Sequence, residues 1–285
     1  METYDYTCIR LTDWHHYKSI IRRFSENWAF RGQADASWIL NNAIERTDFI
    51  QLHKGIEVEF LAEFQRGARN YLTRDETPEH LIEWLALMQH HGAPTRLLDL
   101  TKSPFIAAYF AFEQTLVTKD NYVAIWCLNV NHLKSRALQA LHEDFGNDFK
   151  ASGNRIHEAV FDRIFHENNR CLVFPVEPFG MNRRYSLQQS IFVSTGISHQ
   201  PLMKQLLFLG DSLGRSVVKL EIPAACKKEA LRELQQMNLN RASLFPDLDG
   251  YAASLRLRYE SLKSAEEILH QQIDRLEDST FNFIP

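Results

Sequence analysis

The densest run of chemically capable side chains lies at residues 89–101, Gln89-His90-His91-Gly92-Ala93-Pro94-Thr95-Arg96-Leu97-Leu98-Asp99-Leu100-Thr101. A glycine and a proline restrict the backbone at its turn. Such a turn can hold His90, Thr95, Arg96, Asp99 and Thr101 at set positions around a polar ligand. The same types also suit a buried polar scaffold, with Arg96 paired to Asp99 and His90 bonded to a backbone carbonyl. A second cluster is Phe30-Arg31-Gly32-Gln33. Arginine offers a planar, permanently charged fork for phosphate oxygens, and Gly32 would let a ligand come close. A plain salt bridge is the alternative for Arg31. The third cluster is Arg184-Tyr185-Ser186-Leu187-Gln188-Gln189-Ser190-Ile191-Phe192. Read as a strand, it puts Arg184, Gln188, Ser190 and Phe192 on one face, lining a cleft or forming an amphipathic edge.

Other chemistries lack their residues. The pairs His15-His16 and His90-His91 are adjacent, and neighbours on a helix point in different directions. There is no HExxH, and His157-Glu158 has no partner at metal spacing, so no metal site is expected. The P-loop, the G-x-G-x-x-G turn and the G-x-S-x-G elbow are all missing. Cys8, Cys127, Cys171 and Cys226 are far apart and form no CxxC, which suits buried thiols in a reducing cytoplasm.

The elements that must position these clusters alternate along the chain. Thr12 can cap a helix to about Phe24, and Trp28–Gln33 reads as a strand. A helix is expected from about Asp48 to Tyr71. A second runs from Pro78 to Gln89 and is ended by Gly92. Pro94–Thr101 is extended, and Pro104 opens an apolar helix to Gln114. Tyr122–Leu128 is a buried strand, followed by amphipathic helix over 130–168. Strands are expected at Arg170–Val176, Gln188–Val193 and Ser216–Ile222. A helix follows over Ala224–Met237, and a last helical region begins near Asp247 and carries Arg256, Arg258 and the apolar tail Phe281–Pro285. This pattern predicts an α+β fold with a central mixed sheet flanked by helices.

At 285 residues, 45% apolar and 24% charged, the chain can bury a large core and is neither fibrous nor mainly disordered. No linker or repeat divides it, so one domain over 1–285 is expected, with 243–285 as a C-terminal helical extension. Its net charge of −4 argues against a protein that coats nucleic acid through backbone charge. A local groove of Arg22, Arg23, Arg66, Arg69, Arg183, Arg184, Arg256 and Arg258 keeps a nucleic-acid partner in view. The longest apolar run, Phe105–Phe112, is far short of a membrane span, and the METYDYTCIR start lacks the apolar run of a signal peptide.

Taken in order, the three clusters resemble the FRG domain family. The likeness rests on Phe30-Arg31-Gly32-Gln33 with Trp38, on Trp84 through Gln89-His90, and on Gly92 and Pro94-Thr95-Arg96-Leu97-Leu98-Asp99 with Thr101. Pro104, Ala107-Ala108-Tyr109-Phe110-Ala111, Arg184 with Gln188, Phe192 and the Leu244–Gly250 segment complete it. FRG domains recur in bacterial and phage-defence settings, and their layout is similar to that of ADP-ribosyltransferases. The resemblance therefore implies a core sheet of that type and an enzyme that cleaves NAD and transfers ADP-ribose. The acceptor would be protein or nucleic acid, and the protein a toxin or anti-phage effector with an antitoxin or regulatory partner. Arg31, Asp99 and Gln188 would be catalytic. Arg31, Gln33, His90, Thr95, Arg96, Thr101 and Gln188 would bind the nucleotide, with no metal. One departure stands out: the third strand of such enzymes carries an acid, and here it offers Gln188. An amide keeps the hydrogen bond but brings no negative charge to a developing sugar cation. A nucleotide-sensing module without turnover is therefore the alternative.

Overall fold

A computed structural model describes residues 5–47, 53–118, 120–145, 158–178 and 183–255. Seven strands form one mixed sheet in the order β1-β7-β4-β2-β3-β6-β5. They are β1 (Thr7–Arg10), β2 (Trp28–Gln33), β3 (Leu97–Thr101), β4 (Tyr122–Asn129), β5 (Val173–Val176), β6 (Ser190–Thr195) and β7 (Val217–Pro223). Only β1 and β7 run parallel; the other neighbours are antiparallel. The α+β architecture expected from the sequence is present.

Strand β4 shows why its sequence is apolar throughout. Val123, Ile125 and Cys127 enter one core while Ala124, Trp126 and Leu128 enter another on the opposite face. A strand covered on both sides cannot alternate apolar with polar. The first core lies under α1 (Trp14–Ile21), α4 (Pro104–Glu113), α10 (Lys227–Gln236) and α11 (Arg241–Leu244). The second lies under α8 (Leu202–Leu206) and α9 (Leu213–Ser216), with Leu133 of α5 (Val130–Phe145). A third core joins α2 (Ile56–Ala68), α3 (Leu81–His90) and α6 (Glu158–Glu167) to Leu97, Phe174 and Phe192.

The sheet is nearly split in two. Strands β2 and β4 pair over six positions and β3 and β6 over five, but β2 meets β3 only at Phe30↔Thr101. Beyond that single pair the two strands part.

Several boundaries differ from expectation. Asp13, not Thr12, caps α1, because its extended backbone lets Oδ1 accept from the His16 N–H at 2.8 Å. Helix α3 starts after His80 rather than at Pro78; the Glu83 carboxylate takes the His80 N–H and closes the first turn. Gly92 follows α3 with φ of +84°, as its type allows. Arg184 and Gln188 are not on a strand. Residues Arg183–Leu187 form a short helix, α7, and β6 begins only at Ser190 after Gln189 turns with φ of +48°. Strand β1 lies where no element was expected. Residues 248–255 are helical; the start expected near Asp48, the middle of the expected 130–168 helix, and the tail with Arg256, Arg258 and Phe281–Pro285 lie outside the described residues.

Glu45 sits in a short turn of helix, Ile44–Arg46, and its carboxylate accepts from the Leu202 N–H at 2.8 Å. Burial pushes its pKa up to about 7, against a usual value of 4.5. The folded chain therefore holds this proton where the unfolded chain has lost it. The stability it confers is complete below about pH 4.5 and is lost as pH rises through about 7. Glu45→Gln keeps the acceptor oxygen but cannot ionise. Thermal melts should show the variant close to wild type at pH 4.5 and more stable by about 2 kcal/mol at pH 8, allowing for partial exposure. A difference that does not change with pH would sink this account.

Candidate functional site

A hollow of about 280 Å³ opens where β2 and β3 part. Phe30, Arg31 and Gly32 come from β2; Asp99, Leu100 and Thr101 from β3; Phe110 and Glu113 from α4, with Gln114 just past its end. Gln89, His90, Arg184, Tyr185, Gln188 and Ser190 complete its lining. The volume is at the low end for a small-molecule site.

Arg31 spans the gap between the strands. Its Nη1 donates to the Asp99 backbone carbonyl at 2.8 Å, in the place where a ladder bond would otherwise lie. Its Nε is shut off from solvent with no hydrogen-bond partner among the described residues. Burial lowers the Arg31 pKa, and the Asp99 carboxylate partly opposes the shift. The Asp99 carboxylate is held from behind. Gln89 Nε2 donates to Asp99 Oδ2 at 2.6 Å, and Thr95 Oγ1 donates to Gln89 Oε1. Thr95 is fully buried and also accepts from the Leu97 N–H. It therefore acts behind the hollow, by orienting Gln89.

Glu113, the other lining carboxylate, is already engaged. It accepts from Arg241 Nη1 at 2.5 Å and from the Tyr109 hydroxyl at 2.9 Å. Asp99 is the lining acid without a cation partner among the described residues. Gln188 donates its Nε2 to the Leu244 carbonyl at 3.0 Å, which leaves its amide oxygen free to accept. Thr101 is buried and donates to the Gln188 backbone carbonyl at 2.7 Å, tying the end of β3 to the α7–β6 turn.

His90 ends α3 with its ring edge-on to Tyr185, centroids 5.7 Å apart. Its Nδ1 is buried without a partner among the described residues, so the backbone carbonyl expected for it is not there. Burial first, then the nearby Arg184 charge and His91, lower its pKa, against a smaller pull from Asp247. His90 is neutral at pH 7 and can donate or accept.

Besides Thr95, two more expected ligand residues lie elsewhere. Arg96 does not pair with Asp99. It is 1% exposed and bonds Glu57 twice, backbone N–H to Oε1 and Nε to Oε2, both at 2.7 Å. Its guanidinium lies 4.4 Å over the Phe165 ring, and Nη2 reaches the Phe165 carbonyl. Gln33 is also frame: Oε1 accepts from Trp126 Nε1 at 2.7 Å and Nε2 donates to the Ile39 carbonyl. Gly32 faces helix α4 rather than leaving room for a ligand. A Cβ there would stand 1.9 Å from the Ala107 carbonyl oxygen.

Arg31, His90, Asp99, Thr101 and Gln188 thus meet at one hollow, while Gln33, Thr95 and Arg96 support it from behind. Phe110 and Glu113 were not expected among the lining residues and Gln89 had no separate role, while Arg184 was expected on a cleft-lining strand face or in a basic groove. Helical spacing offered a signal for two of them, since Phe110 and Glu113 lie three apart on α4 and share a face. Among the described residues no group of three His, Cys, Asp or Glu is placed to hold a metal, and no helix is long and apolar enough to cross a membrane.

The fold and hollow define an α+β protein with a polar cleft at a parting in its central sheet. Residues 26–126, from the approach to β2 into β4, match the FRG domain family. The match takes in Arg31, His90 and Asp99 and stops before Arg184 and Gln188. Neither the curated proteins nor the solved structures gave a match to this chain.

Proposed function

We propose that the hollow binds NAD and that the protein is an ADP-ribosyltransferase-like enzyme. It would break the bond between ribose C1′ and the nicotinamide nitrogen. Nicotinamide leaves with the bonding electron pair, positive charge gathers on the ribose, and an acceptor on protein or nucleic acid bonds to C1′ as it loses a proton to solvent. The observation that carries the reading is the junction itself. Arg31, the Asp99–Thr101 segment and Gln188 stand on or beside the neighbouring strands β2, β3 and β6 and face one hollow. This is the order of sites that the family resemblance implies. The role as a toxin or anti-phage effector is proposed from that resemblance alone.

The residues present fit such a substrate. Phe30, Phe110 and Tyr185 give a planar ring apolar walls. The unpartnered Arg31 Nε and His90 Nδ1 call for polar ligand atoms. Asp99, fixed by Gln89, brings the negative charge that Gln188 lacks, and the Gln188 oxygen can accept from a ribose hydroxyl. A hollow of this volume takes one end of a dinucleotide, with the remainder outside.

The test is NAD labelled in its adenine, incubated with the protein and cell extract, with free nicotinamide and transferred label both measured. Wild type should release nicotinamide. Asp99→Asn should turn over about a hundredfold more slowly, the usual scale for losing one fixed electrostatic contact to the transition state. Arg31→Ala should weaken NAD binding. Gln188 in place of an acid favours a second reading, a nucleotide sensor without turnover; wild type that binds NAD or ADP-ribose and releases no nicotinamide would select it. Wild type that binds neither would end both readings.

A further inference from the structure

Arg184 is the lining cation that the proposed function leaves unused. We propose that it holds the phosphate of a phosphate-bearing ligand. This deepens the nucleotide reading and rests on the same hollow.

The other arginines nearby have protein partners. Arg241 is paired with Glu113, Arg96 with Glu57, and Arg31 donates to the Asp99 carbonyl. The Arg184 guanidinium makes no hydrogen bond or ion pair among the described residues. Its Nε is closed to solvent and unpartnered. It is nevertheless held in place, because its Cζ lies over the Phe245 ring, 4.5 Å from the centroid. A second guanidinium, Arg241, also lies over Phe245, at 4.4 Å. Phe245 in turn is fixed edge-on against Phe110, with centroids 6.1 Å apart. The segment carrying Phe245 is anchored again where Gln188 donates to the Leu244 carbonyl.

A stacked guanidinium keeps its N–H donors in its own plane, free for a partner at the edge. A half-buried cation with no ion-pair partner among the described residues costs free energy, and an incoming anion relieves that cost. Among the ionisable groups that line the hollow, Arg31 and Arg184 are the cations, and Asp99 and Glu113 the anions. Glu113 is already matched by Arg241, so the lining carries one positive charge more than it can balance internally. Two guanidiniums on one hollow suit a phosphate or pyrophosphate, whose oxygens accept from paired N–H groups. His90, neutral beside Arg184, adds a polar contact without competing charge.

Calorimetric titration of the full chain with inorganic pyrophosphate, ADP-ribose and nicotinamide riboside tests this, using wild type, Arg184→Gln and Arg184→Lys. A ligand phosphate on Arg184 predicts that Arg184→Gln weakens pyrophosphate and ADP-ribose about 10- to 100-fold, the range for a lost charge-assisted pair. Arg184→Lys should recover part of the loss, since it keeps the charge without the fork. Affinity for nicotinamide riboside, which has no phosphate, should stay within about twofold. Pyrophosphate and ADP-ribose affinities that are equal in wild type and Arg184→Gln overturn the proposal, and so does equal loss for all three probes, which marks a structural role. Wild type that binds no probe overturns it too. A phosphate-selective loss together with no nicotinamide release from NAD would keep Arg184 as the anion site and remove the transferase reading alone.

Discussion

Glu57→Ala is expected to lower the unfolding free energy by about 3–5 kcal/mol, the range for stranding one member of a buried ion pair. Glu57 and Arg96 are each 1% exposed, and the carboxylate takes both the Arg96 backbone N–H and its Nε at 2.7 Å. Without it the guanidinium keeps only long contacts, at 3.4–3.5 Å, to the carbonyls of Phe165, Thr195 and Gly196. The charge is too deep to be hydrated in place. Arg96 stands between α2, β3, α6 and the end of β6, so its release loosens the frame behind Asp99. Denaturant unfolding measures the loss. A double substitution, Glu57→Met with Arg96→Met, should recover much of it, because the cost arises from the uncompensated charge rather than from lost packing. A loss below about 1 kcal/mol for the single variant would mean that Arg96 finds another anion, and would sink this account.

Gly32→Ala is expected to cost about 3 kcal/mol or more, at the upper end for overpacking a tight core. The added Cβ would sit 1.9 Å from the Ala107 carbonyl oxygen and 2.6 Å from the Ala111 amide nitrogen. Both atoms belong to the backbone of α4, so no side-chain rotation relieves the clash. Either α4 moves away from β2 or the strand bends. Phe110 and Glu113 ride on that helix, with Gln114 just past its end, so the hollow deforms with it, and ligand affinity should fall along with thermal stability. Gly67→Ala is the matched comparison. It lies inside α2 with nothing within 4 Å of the new methyl group. There the substitution should stabilise by up to about 1 kcal/mol, because alanine restricts the unfolded chain and favours helix. Similar melting temperatures for the two variants would refute the backbone contact at Gly32.

Much of the frame was legible in the residues. The run Tyr122–Leu128 had to be a strand covered on both faces, and β4 is such a strand. Pro104 was expected to open an apolar helix, and α4 starts there; the structure adds the Ser103 hydroxyl, which accepts the Ile106 N–H. Trp28–Gln33 is a strand over the expected residues. The reading failed where two local signals compete. Arg184 to Phe192 carries a period-two pattern that a strand would satisfy, yet Arg183–Leu187 make one helical turn. Tyr185 thereby buries against Phe192 and donates its hydroxyl to the Ala86 carbonyl. Thr12 and Asp13 are both good caps, and only the backbone geometry chooses between them.

Residue types by themselves determined that a guanidinium, a carboxylate and an amide were available in a fixed order, and that the segments between them would be strand or helix. Such information is local, since it depends on neighbours two to four positions away. Tertiary structure decided which acceptor each buried charge would find. Arg96 lies three residues from Asp99 in sequence but bonds Glu57, 39 residues away, because α2 stacks its first turn against the start of β3. It also decided that the glycine beside Arg31 admits a helix rather than a ligand, and that β2 and β3 part after one pair. Pairing partners and close backbone approaches depend on how whole elements stack, and that stacking is set by the total burial of the chain rather than by any short stretch of it.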